Sequence, residues 1–509
     1  MGPIPAPTAA APPAPPADPG RRRLLGLTAL GGVVAAAAAC DAVADPDDPE
    51  LLLALRATYG PSDDVLGRIA EIGAAAWVVE QCAPETLDTS AIDAKVAELP
   101  ALTMTPAELR DAYPENEIAL ASFQLQIATG ARRLESPAQL YERMVEFWSD
   151  HFNVPVSEQP LRLLKVVEDR DVIRPHALGR FDELLVASAK SPAMLLYLDN
   201  AFSRAGNINE NYARELLELH TVGVDGGYTE DDVVATATLF TGWTIDRDTG
   251  EFWFRPGLHD PSPVSILGWT RPAGGNGLEH GEQFLGHLAR LPATAGFVCT
   301  KLLRRFVADD PDPALVADLA AVYLANDTEI VPVLTELFAH PEFAASAGAK
   351  FRRPFEYFLA CARAVGAEQR LVAGRGRQRE LGAAIVRLGQ APFLWPAPNG
   401  YPDVADAWRN TGAMLARWNM AGDVAANTFA TLQYDEAALG EGLDGRSAGE
   451  IVDELSRRVL RRPLTTSGVR VVLAHLEVDA DDVPADGWVS DVLPRVAAIL
   501  LCTDDNQYT

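Results

Sequence analysis

Two histidines on the apolar faces of predicted helices are the residues best placed for chemistry in this sequence. Met144, Phe147 and Trp148 share one helical stripe with His151, so that imidazole faces inward. His220 lies on the same predicted helix face as its leucine neighbours. A buried imidazole without a partner costs about 1–3 kcal/mol, and two of them are least costly when they share polar partners. We therefore expect both imidazoles to approach one polar pocket.

A divalent metal is one ligand that such a pair can bind. Neutral imidazole nitrogens and carboxylate oxygens are common metal ligands, although no HExxH or HxH pair is present. The alternative is that each histidine is structural and hydrogen-bonded to a backbone group or an asparagine. The candidate metal ligands are Asp150, His151, Glu215, His220 and His259.

An ion-pair row flanks His220 on its own predicted helix. Glu210, Arg214 and Glu218 follow each other at i, i+4 spacing, which suits a ladder of opposite charges. These groups can orient a carboxylate of a substrate, or they can lock the helix to its neighbour. The first interpretation gives His151, His220, Glu210 and Arg214 as candidate catalytic residues.

Helix-capping signals dominate the elements that must position these side chains. Ser62, Thr105, Ser136 and Thr229 each precede an amphipathic stretch, and Ser447 with Glu450 forms a predicted capping box. Only the stretch from Phe252 to Leu267 alternates as a strand pair does. The sequence predicts a mostly α, multi-helical globular protein with one short β-hairpin insertion there. One continuous helix is expected from Ser62 to about Cys82, another over 169–189 and a third over 191–202.

The N-terminal segment has the features of an export signal. Residues 1–20 are rich in Pro and Ala and are not expected to fold. Arg21, Arg22 and Arg23 precede a short apolar run from Leu24 to Ala39, which indicates the twin-arginine route. Cys40 then follows three alanines and is a candidate lipidation site. A general secretory signal or an uncleaved membrane anchor are the alternatives, and residues 41–50 form an acidic tether.

The charge balance restricts the partners of this chain. With 43 basic and 71 acidic residues the net charge is −28, which opposes binding to nucleic acid or to anionic lipid. A membrane contact is then expected only through the signal or a lipid on Cys40. The other four cysteines are far apart and form no CxxC pair, so we expect buried thiols rather than a thiolate metal site.

Several segments resemble one bacterial family. The stretch NENYARELLELHTVGVDGGYTEDDV is similar to the signature of the exported "domain of unknown function 1800" family, and ERMVEFWSDHFNV, PATAGFVCTKLLRRFV and KFRRPFEYFLACARAVGA agree in order. The resemblance implies export and a largely helical fold, and it supplies no established reaction. It also implies a partner, because relatives are often encoded beside an exported sulfatase-like protein. The predicted division is a family domain over 51–425 and a C-terminal helical extension over 426–509 packed on it.

Four functional hypotheses follow, of which a metal or cofactor carrier and a polymer-binding module are the two lesser ones. The first is an exported cell-envelope protein, in the periplasm or on the cell surface, that acts as a helical scaffold or partner of the sulfatase-like protein. The alternative is an exported metal-dependent enzyme, a hydrolase or an oxidoreductase, with a polar site at the His151/His220 helix pair. A large exposed apolar patch favours the scaffold and a closed polar pocket favours the enzyme.

Overall fold

The computed structural model describes residues 48–372 and 375–509, with the side chains of 375–379 excepted. The unfolded leader, the export signal and Cys40 therefore lie outside the described residues, as does most of the tether. The described chain is dominated by helices and has only short two-stranded sheets, which confirms the mostly α prediction.

Helices carry most of the first half of the described chain. Their bounds are α1 Pro49–Ala57, α2 Asp63–Ile72, α3 Ala74–Gln81, α4 Ser90–Val96, α5 Pro106–Ala112, α6 Ala119–Glu135, α7 Gln139–His151, α8 Leu161–Glu168, α9 Arg174–His176, α10 Phe181–Lys190, α11 Pro192–Tyr197, α12 Asn211–Glu215 and α13 Glu230–Leu239. Two π-helical turns, Asp169–Ile173 and Leu216–His220, continue α8 and α12.

Helices also carry the second half, after the strands. Their bounds are α14 Gly277–Ala289, α15 Pro292–Phe306, α16 Pro313–Ala325, α17 Ile330–Ala339, α18 Pro341–Ala345, α19 Pro354–Ala364, α20 Arg375–Leu388, α21 Thr411–Ala425, α22 Glu436–Leu439, α23 Ala448–Leu460, α24 Thr466–Leu476, α25 Trp488–Cys502 and α26 Asp504–Gln507. No helix in the described ranges is both long and apolar enough to cross a membrane.

The caps predicted at Ser62, Thr105, Thr229 and Ser447 are present, but the cap predicted at Ser136 is wrong, because α7 begins after Ala138 without a side-chain cap. In addition, three predicted helices are divided. Thr105, Thr229 and Ser447 each form a capping box, with Glu108, Asp232 and Glu450. The helix expected from Ser62 to Cys82 is interrupted at Gly73, whose φ of 85° no helix residue adopts. The helix expected over 169–189 is divided by a π-turn and a loop, and that over 191–202 ends at Tyr197 before a short 3-10 turn.

The strands occur where alternation predicted them, but their pairing was predicted wrongly. β2 Phe252–Phe254 pairs with β1 Trp243–Ile245, and β3 Val264–Ile266 pairs with β4 Trp269–Arg271. The second hairpin turns on Leu267 and Gly268, with φ values of 45° and 81°, a two-residue turn that matches strand twist. Leucine is not a usual turn residue, so the sequence did not predict this turn or the hairpin that it closes. A third pair joins β5 Glu368–Gln369 to β6 Leu432–Gln433.

Two large hydrophobic cores organise the described chain. The first takes residues between Leu52 and Phe343, and the second takes Tyr59, Leu134 and residues from Phe355 to Cys502. Residues on both sides of position 425 share the second core, while the division into domains at that position stays a prediction. Cys299, Cys361 and Cys502 are buried free thiols and Cys82 is a half-buried one, as expected.

Candidate functional site

The two predicted histidines meet where α7, α15 and the Leu216–His220 turn pack together. The ring centroids of His151 and His220 lie 6.0 Å apart, and both residues are buried. The predicted approach of the two imidazoles is therefore confirmed, but aromatic rings rather than the expected polar pocket surround His151. Their catalytic or metal-binding role stays a prediction.

Hydrogen bonds fix the tautomer of His151. Its Nε2 lies 3.1 Å from the carbonyl oxygen of His220, which can only accept, so we assign the ring proton to Nε2. Its Nδ1 then accepts from the Nζ of Lys301 on α15, at 2.9 Å. Burial, and then the charge of Lys301, lower the pKa of His151 well below its usual range, so the ring is neutral.

Lys301 is the third member of this cluster. Its side chain is half-buried, and burial of its ammonium group is the main cause that lowers its pKa to about 8. Asp150 and Asp403 act against that shift, while Arg305 and Arg304 add to it. In the described part of the chain no carboxylate lies within salt-bridge distance of Lys301, so its charge is only partly compensated.

His220 is the least satisfied member of the cluster. Only 1% of the residue is exposed, and no described residue hydrogen-bonds its Nε2. Burial, and then Lys301, lower the pKa of His220 to about 3. His220 ends a π-helical turn, and such turns often occur at functional sites. Gly223 follows with φ of 80°, and a Cβ there would lie 2.8 Å from the Phe297 ring of α15.

Aromatic rings enclose the imidazole of His151. The centroid of Phe152 lies 4.5 Å away and that of Trp148 5.3 Å away, while Phe181 and Phe297 lie at 5.9 Å and 6.2 Å. This apolar surrounding explains why burial is the largest cause of the lowered pKa. We call His151, His220 and Lys301 the basic cluster.

A second group of ionisable residues lies on the same two helices. Glu146 and Asp150 of α7 face Arg305 of α15 and Arg353, which precedes α19. The Arg353 guanidinium lies 2.9 Å from Glu146 and 2.7 Å from Asp150. Arg305 also pairs with Asp403 in the loop before α21. These bonds join α7 and α15 of the first core to the entry of α19 in the second.

The same group extends to one further carboxylate and two further guanidiniums. Arg133 binds Glu146 at 2.8 Å, and Arg143 binds Glu356 at 2.6 Å. Burial alone would raise the pKa of Glu356, but Arg143, Arg353 and Arg305 hold it well below its usual range. We call these residues the charge network, in which four carboxylates (Glu146, Asp150, Glu356, Asp403) face four guanidiniums (Arg133, Arg143, Arg305, Arg353).

The charge network leaves little room for a ligand. The cavity beside it has about 20 Å³ of space for the centres of water molecules, which is about one water. Arg133, Glu146 and Asp150 line it together with Asn153 and Tyr401. With opposite charges equal in number and mutually paired, this arrangement is suited to holding helices together.

The other predicted site residues lie elsewhere. Glu210 and Arg214 are on the surface, where Arg214 binds Glu230 of α13 at 2.7 Å and Glu210 at 3.4 Å. This arrangement agrees with the interpretation that the row locks its helix to a neighbour. Glu215 is half-buried, and burial, with Glu218 nearby, raises its pKa.

The five candidate metal ligands are not brought together. Asp150 pairs with Arg305 and Arg353, and His259 contacts the Thr241 carbonyl at 2.9 Å and Arg271 at 2.9 Å. Among the described residues, no three His, Cys, Asp or Glu side chains form a group that could hold a metal ion.

Sequence reasoning missed Lys301 and most of the charge network. A signal was present, because Phe297, Lys301 and Arg305 follow one another at i, i+4 spacing on the apolar helix α15. Glu142, Glu146 and Asp150 do the same on α7. An acidic row and a basic row on two otherwise apolar helices indicate that the helices pair through these faces.

The architecture defines the class: a mostly helical protein with two cores, joined by buried charges, whose activity no common catalytic motif identifies. The family described as "Protein of unknown function (DUF1800)" has a model that matches residues 52–504, and the chain belongs to that family. No curated protein and no solved structure matches the chain.

Proposed function

We propose that this protein is exported and acts in the cell envelope. The proposal is supported by Arg21–Arg23 and the apolar run from Leu24 to Ala39, and Cys40 supplies a candidate lipid anchor. Replacing Arg22 and Arg23 with Lys should leave the precursor in the cytoplasm, and Cys40→Ser should release the mature protein from the membrane fraction. Unchanged export of the double-Lys variant would instead favour a general secretory signal.

Within the envelope, we propose that the helical body is a scaffold for a second exported protein of the sulfatase-like class. The observation that carries this proposal is the position of exposed large apolar side chains. Single exposed apolar residues are ordinary, but a concentration of them marks an interaction site. Five of the eleven in the described chain fall between residues 202 and 253, namely Phe202, Ile208, Val224, Val234 and Trp253.

Contacts join the elements that carry these five side chains, and we infer that the side chains form one face, which we call the 202–253 surface. The Thr244 hydroxyl of β1 donates to the Ala201 carbonyl at 2.8 Å, and the Gly242 amide donates to the Ser203 carbonyl at 3.1 Å. The Arg214–Glu230 ion pair connects α12 to α13. A partner that covers this surface removes aromatic and aliphatic area from water, which is the main source of association energy.

Co-purification with the co-encoded sulfatase-like protein tests the scaffold. The variant Phe202→Ser/Trp253→Ser should weaken binding roughly 10–100-fold, as expected for loss of about 1.4–2.8 kcal/mol at two aromatic contacts. Val224→Ser, at a side chain 67% exposed, should weaken it less, and Val483→Ser, 64% exposed and remote in sequence, is the matched control. Wild-type binding by the double variant, with an unchanged helical spectrum, would contradict the scaffold.

The second candidate is an exported enzyme, most simply a hydrolase, that uses the basic cluster. The supporting observation is an amine with a pKa of about 8 that donates to a neutral imidazole. Lysines with lowered pKa act as general bases and nucleophiles near neutral pH. Because His151 already uses both ring nitrogens, the amine rather than a metal is the reactive group of this proposal.

Reductive methylation read out by mass spectrometry tests this candidate. Formaldehyde with cyanoborohydride should modify Lys301 with a midpoint near pH 8. His151→Gln should shift that midpoint, because it replaces the imidazole that accepts from the Lys301 amine. A Lys301 that stays unmodified in the folded protein up to pH 10 would remove the enzyme candidate.

A further inference from the structure

A cavity distant from the basic cluster is enclosed by α6, α19, α20 and the loop at 391–394. Its volume is about 310 Å³, at the lower end of the range of small-molecule sites. None of the described residues that line it carries a charge. Its walls are formed mainly by Phe123, Ile127, Phe355, Phe358, Leu381 and Ile385.

One side chain supplies a polar group inside this apolar cavity. Gln369 lines the cavity and is only 5% exposed, yet no residue in the described ranges hydrogen-bonds its side-chain amide. Its backbone is fixed, because the Gln369 amide N–H donates to Glu135 at 2.7 Å and Lys95 donates to its carbonyl at 3.1 Å. The free amide is therefore held in a defined position.

A glycine keeps that amide accessible. Gly130 of α6 also lines the cavity, and a Cβ at this position would lie 3.2 Å from the Gln369 Oε1. Any larger residue would press on the amide group. The neighbouring Gln126 is different, because its Nε2 donates to the Pro392 carbonyl at 2.8 Å.

We propose that this cavity binds a neutral, largely apolar small molecule that carries one hydrogen-bonding group. The apolar walls favour burial of hydrocarbon or aromatic surface. A charged ligand would lose its hydration without gaining an ion pair, which is strongly unfavourable. One carbonyl, hydroxyl or amine group on the ligand would pair with the Gln369 amide, which can both donate and accept. The site depends on neither the scaffold nor the enzyme proposal.

Fluorescence titration with N-phenyl-1-naphthylamine tests this site in the full mature chain. This probe is neutral and aromatic, and its single N–H can donate to the Gln369 Oε1. We expect a saturable one-site increase in fluorescence. Gln369→Leu should weaken binding about 2–10-fold, the equivalent of one neutral hydrogen bond of roughly 0.5–1.5 kcal/mol.

A cavity-filling variant gives the sharper result. A Cβ at Gly382 of α20 would meet no atom within 4 Å, so Gly382→Leu can extend into the cavity without a clash at its first carbon. It should abolish saturable binding, and the helix should remain stable because glycine is a poor helix former. Gly67→Leu is the matched control, at an exposed position of α2 that is equally open, and should bind as wild type.

Two results would overturn the proposal. One is probe binding by Gly382→Leu at wild-type affinity, which would place the probe elsewhere. The other is equal affinity for the anionic probe 1-anilinonaphthalene-8-sulfonate, which we expect to bind at least 10-fold more weakly. If Gly382→Leu fails to fold, Ala391→Phe on the opposite wall provides the second test, with the same outcomes.

Discussion

The charge network and the basic cluster lie on the same two helices but differ in how their charges are compensated. In the network, four guanidiniums meet four carboxylates within hydrogen-bonding distance. In the cluster, Lys301 meets a neutral imidazole and the ring of Phe297 but no carboxylate among the described residues. The Nε2 of His220 likewise has no partner among them. One turn of α15, from Lys301 to Arg305, separates the two environments.

This difference separates structural from reactive buried charges. A buried ion pair whose members satisfy each other adds specificity to the packing, and removal of one member leaves a charge without compensation. A buried amine without a carboxylate is destabilised in its charged form, so it gives up its proton near neutral pH. We therefore assign the network to the joint between the two large cores, while a chemical role of the cluster stays a proposal.

The largest expected effect is loss of a network arginine. Arg353→Met should lower the free energy of unfolding by about 3–5 kcal/mol, because the buried Glu146 and the half-buried Asp150 would each lose a guanidinium within 3 Å. Denaturant unfolding at pH 7 measures the change, with Arg409→Met at an exposed arginine as the control. A loss of stability below about 1 kcal/mol would contradict the structural role that distinguishes the charge network from the basic cluster.

The pH dependence of stability tests the basic cluster, because buried His220 resists protonation in the folded protein. Unfolded histidine takes a proton near pH 6.5, whereas folded His220 does so only near pH 3. Stability from this group is therefore fully present above pH 6.5 and decreases as the pH falls from 6.5 towards 3, by about 1.4 kcal/mol per pH unit. Between pH 6.5 and 5, the free energy of unfolding of the wild type should therefore fall by that amount more than that of His220→Gln, as measured by denaturant unfolding at each pH. An equal fall in the two proteins would contradict the lowered pKa of His220.

The replacement of Lys301 should have a smaller effect of opposite sign to that of Arg353. Lys301→Met at pH 7 should change stability by no more than about 1 kcal/mol, or increase it, because it removes a buried charge without a paired carboxylate. Relative to this variant, the wild type should gain stability between pH 8 and 10.5, where the unfolded lysine still holds the proton that the folded one has lost. A loss above 3 kcal/mol would show that the cluster is also structural.

Loss of the surface ion pairs of Arg214 should give the smallest change in stability, with which the buried substitutions can be compared. Arg214→Ala should cost about 0.2–1 kcal/mol at low salt, because water screens its bonds to Glu210 and Glu230. The effect should largely disappear at 1 M salt, whereas that of Arg353→Met should persist. Equal salt sensitivity of the two variants would indicate that the network is hydrated.

The sequence by itself determined the helical class, the capping boxes and the inward direction of both histidines. These features depend on residues within one or two turns of each other: Thr229 with Asp232, Ser447 with Glu450, and the stripe that ends at His151. Local hydrogen bonds and helical periodicity decide them before any tertiary contact forms.

Only the tertiary structure decided which groups the histidines meet. Lys301 lies 150 residues after His151, and Arg353 lies 203 residues after Asp150, so no local pattern specified either pair. The pairing of β3 with β4 likewise depends on a turn at Leu267 and Gly268, and leucine is not a residue from which such a turn is predicted. Whether a buried amine has a carboxylate beside it depends on how helices distant in sequence pack, and that packing gives Lys301 a pKa of about 8.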